Sequence, residues 1–88
     1  MEEFELKDYH EPLFERHGNE RGCGRVTHEV LISKSAYTLA KMWLDGVKWN
    51  ENLWGEVLEY TDKAIEVGVC NVVWWIPKRL IKKARKIR

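Results

Sequence analysis

Four side chains in the first third of the chain have the donor chemistry of a metal site. His10, His17, Cys23 and His28 follow one another as H-x6-H-x5-C-x4-H, and neutral imidazole with thiolate is a set that suits zinc. A bound zinc would also hold the stretch 18–24 (GNERGCG), in which three of seven residues are glycine. The spacing lacks the tight Cys-x2-Cys pair of strong zinc signatures. The competing reading is two surface histidines, a loop cysteine and one strand histidine, and no cofactor other than zinc is suggested. The same residues offer a thiol reading, with Cys23 between glycines whose backbone amides could activate it, His28 as base and Cys70 as resolving partner. No acid is placed to orient His28, and GNERGCG lacks the Gly-Lys-Ser/Thr ending of a phosphate loop. No catalytic residue is assigned, and the expectation is a protein that is not an enzyme.

A different chemistry lies at the other end. Trp74 and Trp75 lead through Pro77 into Lys78, Arg79, Lys82, Lys83, Arg85, Lys86 and Arg88, with no acid among them. Residues 1–76 hold eight basic residues against all fourteen acids, so the chain is about −6 before Pro77 and +7 after it, for a formal net charge of +1. A cationic segment beside aromatic rings can neutralise phosphates and stack on bases. The expected partner is therefore nucleic acid or nucleoprotein, with an acidic protein surface as the alternative. The bland reading folds the basic tail back onto the chain's own carboxylates. Membrane-surface binding would rest on Trp74 and Trp75 alone, because the apolar stripe beside them is short.

Glu51, Glu56, Glu59, Asp62 and Glu66 form the acidic counterpart. As the exposed face of a helix they would repel a DNA groove. They could instead occupy a basic groove on a partner protein and compete there with nucleic acid. Basic tail against acidic helix would also permit head-to-tail self-association. Small, charge-divided chains of this kind suit inhibitors and adaptors, including those that viruses direct at host nucleoprotein machinery.

The elements that must position these residues are read from periodicity. Residues 2–8 alternate as a short edge strand, and Pro12 with Leu13, Phe14 and Gly18 suggests one or two helical turns. Residues 25–33 (RVTHEVLIS) give the clearest strand, with Val26, His28, Val30 and Ile32 on one face and Thr27, Glu29 and Leu31 on the other. Ser33 or Ser35 can cap a helix over about 36–45, ended by Gly46. Asn50 resembles the N-cap of a helix over 51–67, whose stripe is Trp54, Val57, Leu58, Thr61, Ala64 and Ile65. Residues 69–76 read as a strand covered on both faces, with a helix as the competing assignment. Pro77 then opens a basic amphipathic helix over 77–88, with Leu80, Ile81, Ala84 and Ile87 as its stripe. The order β-α-β-α-α-β-α implies a small α+β domain spanning 1–88, with about three strands and three to four helices on one side of the sheet.

Eighty-eight residues are too few for two independent cores. The start, Met1-Glu2-Glu3, has no basic n-region and no apolar h-region behind it, which predicts a cytoplasmic protein with reduced thiols. The longest nearly apolar run, 67–77, is far short of the roughly 20 residues of a membrane-spanning helix.

Overall fold

The computed structural model describes residues 3–8, 15–16, 24–40 and 46–87, with 15–16 and 24–25 described by their backbone only. Its strands are β1 (Glu3–Glu5), β2 (Glu15–Arg16), β3 (Gly24–Arg25), β4 (His28–Leu31), β5 (Trp54–Tyr60), β6 (Ala64–Val69), β7 (Val72–Pro77) and β8 (Lys83–Lys86). One α-helix, α1 (Lys34–Ala40), is found among the described residues, with single 3-10 turns at Leu6–Asp8 and Lys78–Leu80. Six strands form one sheet in the order β1-β8-β4-β5-β6-β7, antiparallel throughout, while β2 and β3 pair separately. The expected α+β arrangement of three strands with three to four helices is overturned: this is mostly antiparallel sheet.

The largest correction concerns 51–67, which is a hairpin and not an acidic helix. From Ala64 the inward side chains are Ile65, Val67 and Val69, and the outward positions are Ala64, Glu66 and Gly68, a clean period of two. β5 hides that period because its register against β6 shifts between Val57 and Glu59. The bulge adds one residue and re-phases the apolar positions, so that Trp54, Val57, Leu58, Thr61, Ala64 and Ile65 fall by coincidence at helical spacing. Asn50 does not cap a helix; its Oδ1 accepts from the Asn52 amide at 2.8 Å, an Asx turn that leads into β5. Thr61 closes the hairpin by donating to the Ala64 carbonyl and accepting from the Ala64 amide at 3.0 Å.

The basic segment 77–88 is likewise not a helix. Pro77 ends β7, one 3-10 turn follows, and Ile81 is extended at φ −111, ψ 122. Lys83–Lys86 then runs as β8 between β1 and β4. A lone helix of about twelve residues crowded with like charge is marginal in water. As a strand the same residues gain two ladders, bury Ala84 completely and set acids opposite their cations. The link from β7 is tied at both ends, by Lys78 N to the Lys63 carbonyl at 3.0 Å and by Leu6 N to the Lys82 carbonyl at 2.8 Å.

Other expectations hold with altered limits. β1 is an edge strand. The 25–33 strand is reduced to β4, with His28 and Val30 buried as the alternation implied. Ser33 Oγ accepts from the Ala36 amide at 3.1 Å and caps α1. Gly46 takes φ +84, the left-handed conformation foreseen for it; residues 41–45 of the expected helix lie outside the described residues. The turns around Pro12 lie outside them too, apart from Glu15–Arg16, which is strand. Of the expected 69–76 strand, 72–76 lie in β7 while Val69 ends β6 and 70–71 form the turn between them; β7 is also an edge with Val73 and Trp75 exposed, not a strand covered on both faces.

The core lies on one side of the sheet. Ile32, Ile65, Ile76, Val30, Val57 and Val67 are fully buried, joined by Ala36 and Ala40 of α1 and by Leu6, Ile81 and Ala84. Trp74 fixes α1 to β7 by donating its indole N–H to the Ala36 carbonyl at 3.1 Å. No helix among the described residues is long and apolar enough to cross a membrane.

Candidate functional site

Opposite residues of paired strands point to the same face, so the register assigns the outer face residue by residue. One row runs Glu3, Arg85, Glu29, Glu56, Gly68, Val73 across all six strands. A second pairs Glu59 with Glu66 and Glu66 with Trp75, and a third contains Glu5 opposite Lys83 and Leu31 opposite Trp54. The strands therefore set six carboxylates on this face (Glu3, Glu5, Glu29, Glu56, Glu59, Glu66) against two cations (Lys83, Arg85).

Arg85 is the best-held of these groups. Its Nε donates to Glu29 Oε1 at 2.9 Å, its Nη2 forms an ion pair with the same oxygen at 2.8 Å, and its guanidinium lies 4.1 Å from the centre of the Trp54 ring. One charge-assisted hydrogen bond, the ion pair and an aromatic platform hold it against Glu29. Beyond it the carboxylates face one another: Glu29 opposes Glu56, and Glu59 opposes Glu66. Like charges directly opposite weaken a sheet, and Arg85 offsets the first of these pairs by binding Glu29. At the β7 end the face becomes apolar, with Val73 53% and Trp75 41% exposed.

The expected basic, tryptophan-flanked site is divided by this arrangement. Trp74 points inward and is held by α1, whereas Trp75 points outward. β7 and β8 stand four places apart in the sheet, about 19 Å along it at the usual strand spacing. Lys78 donates to the Tyr60 hydroxyl at 2.7 Å and sits 4.5 Å from that ring's centre. Lys83 faces Glu5, which also pairs with Lys7 at 3.3 Å. Arg79, Lys82 and Lys86 are exposed and form no ion pair with a described residue; Arg88 lies outside the described residues. Of the acidic set, Glu56, Glu59 and Glu66 come together on β5 and β6, while Glu51 and Asp62 occupy the turns before and after β5. With no acidic helix and no basic helix, the proposed head-to-tail contact between them has no basis.

The metal set is not assembled by what is described. His10, His17 and Cys23 lie outside the described residues. His28 is 4% exposed, with Nδ1 2.7 Å from Thr27 Oγ1 and its ring edge-to-face with Phe4. Among the described residues no group of three His, Cys, Asp or Glu could hold a metal ion. Cys70 is an exposed free thiol in the two-residue turn between β6 and β7. A cleft of about 200 Å³ lies beside Leu31, Ser33 and Trp49, with Glu51, Lys82 and Lys83 at its rim. Reading single elements in sequence missed the Arg85–Trp54–Glu29 stack, since its members come from three strands; the one available signal was the alternation that puts Glu29 outward.

No protein-family model, curated protein or solved structure matches the chain.

Proposed function

We propose that this is a non-enzymatic interaction protein that docks the outer face of its sheet on a cationic protein surface of the kind that otherwise receives nucleic acid, as an inhibitor or adaptor. The observation that carries the reading is the exposed Trp75 and Val73 continuous with Glu56, Glu59 and Glu66. A large ring beside apolar area is a typical binding anchor, and surrounding charge selects the partner's sign. The two cations on this face do not reverse that sign, because Arg85 is already bound to Glu29. The same carboxylates oppose phosphate, so stacking of nucleic-acid bases on Trp75 is disfavoured.

A second reading keeps direct nucleic-acid contact through the exposed Arg79, Lys82 and Lys86. One experiment separates the two. Partners are captured from extract, identified, and re-measured as purified proteins against wild type, Glu56→Lys/Glu66→Lys and Lys82→Glu/Lys86→Glu. Docking by the acidic face requires a basic partner whose binding is lost with the first variant, kept with the second and displaced by DNA. If the first variant binds normally while the second abolishes capture and removes a 260 nm contaminant, the acidic-face reading is wrong and the nucleic-acid reading stands.

A further inference from the structure

The two edges of the six-stranded sheet are built differently. β1 is three residues long, Glu-Phe-Glu, and its exposed carboxylates discourage another strand from pairing with it. β7 is six residues long and carries no charge (VVWWIP). Natural sheets protect their edges with short strands, charges or bulges. β7 has none of these; among the described residues its one such device is Pro77 at the last position. No described strand pairs with its outer side.

The register identifies which backbone groups face that side. β6 and β7 are joined by the two-residue turn Cys70–Asn71, with Val69 opposite Val72, Val67 opposite Trp74 and Ile65 opposite Ile76. In such a hairpin the pair flanking the turn is hydrogen-bonded and the bonding then alternates. Val72, Trp74 and Ile76 therefore bond to β6, and Val73 and Trp75 turn their N–H and C=O outward. These are also the residues with exposed apolar side chains.

We propose that β7 pairs antiparallel with β7 of a second copy, with the two-fold axis at Trp74. In that register Val73 of each copy faces Trp75 of the other. All four N–H and all four C=O groups involved are directed at the partner strand, giving four hydrogen bonds, and Pro77 is required to donate none. An aromatic ring against a β-branched side chain is a favoured cross-strand pair. The absence of charge on the strand is what makes a second copy the fitting occupant: an identical charged strand would meet its own sign, whereas VVWWI meets an uncharged copy of itself. The acidic patch at Glu56 lies two strands away on β5 and is not covered by this contact. A single strand pair buries well under the roughly 1,600 Å² of a standard interface, so the dimer is weak and depends on concentration.

The test measures sedimentation equilibrium and amide exchange of the full chain from about 10 μM to about 1 mM, a range over which mass action populates a weak dimer. The expected result is a rising dimer fraction with tenfold or greater slowing of exchange at the Val73 and Trp75 amides only at the high concentration, on the order of a mostly paired state. Val73→Pro removes an outward N–H without touching the β6 ladder, and Val73→Lys places charge on the edge; both should be monomeric. Glu56→Lys should dimerise normally while losing the basic partner, which separates this contact from the acidic part of the docking face; Val73 and Trp75 belong to both. A chain monomeric at the highest concentration, or a dimer that survives both Val73 substitutions, overturns the proposal. Should a variant fail to fold, concentration-dependent exchange at Val73 and Trp75 in the wild-type chain decides alone.

Discussion

Replacing Gly55 by alanine distinguishes the observed sheet from a helix through the same residues, because the two give opposite signs. Inside an exposed helix, Gly→Ala stabilises by roughly 0.5–1 kcal/mol. In β5, Gly55 is buried opposite Val30. A Cβ there would lie 2.2 Å from Val67 Cγ1 and 3.1 Å from both Ile32 Cδ1 and Val69 Cγ2. Ile32 and Val67 are essentially inaccessible to solvent and Val69 nearly so, so no flexible side-chain end can swing away. A 2.2 Å approach belongs in the upper part of the overpacking range, about 2–3 kcal/mol, against which the gain in chain stiffness returns about 0.5–1 kcal/mol. Net destabilisation of about 1–2.5 kcal/mol should lower Tm by roughly 4–20 °C at 4–8 °C per kcal/mol for a domain near this size. Thermal unfolding by circular dichroism, with urea titration at constant slope, measures it. An unchanged or raised Tm for Gly55→Ala would refute the packing of β5 against Ile32, Val67 and Val69.

Three further outcomes follow from the same structure. Trp74→Ala should cost about 2–4 kcal/mol, because a half-buried ring and its bond to the Ala36 carbonyl are lost, whereas Trp75→Ala should stay within about 0.5 kcal/mol; equal costs in chemical denaturation would contradict the assignment of faces. A chain ending at Ile76 should not fold, since it loses β8 and with it every ladder of β1; a native-like near-ultraviolet dichroism spectrum from that fragment would contradict the sheet order. Arg85 and Glu29 are 24% and 20% exposed in their side chains, and a double-mutant cycle to alanine should give a coupling of about 1 kcal/mol, at the upper end of the surface-pair range and reduced by salt. Zero coupling would mean that the pair is not held as described.

Some local features can be read from the residues alone. The alternation of 25–33 places His28 and Val30 inward and Glu29 outward. A serine cap at Ser33 or Ser35, Gly46 as a left-handed residue and the strand character of 72–76 are likewise local, since each depends on a few neighbouring side chains and backbone angles. The turn at Cys70–Asn71 inside the expected 69–76 strand escapes that reading. The helix over 51–67 misled because one inserted residue in β5 converts a period of two into an apparent period near 3.6. Nothing local marks that insertion; it exists only against β6.

The candidate site divides the same way. The sequence alone determines the amounts of charge, their separation along the chain, and the presence of unusually many large rings. Where those charges stand was decided by strand pairing. The tail is a strand because two ladders and acids on either side outweigh what an isolated cationic helix can offer. That pairing delivers Arg85 to Glu29 and sets Glu56, Glu59 and Glu66 on the same face as Trp75. A residue's place in a sheet depends on partners distant in the chain, and no periodicity within one segment encodes them.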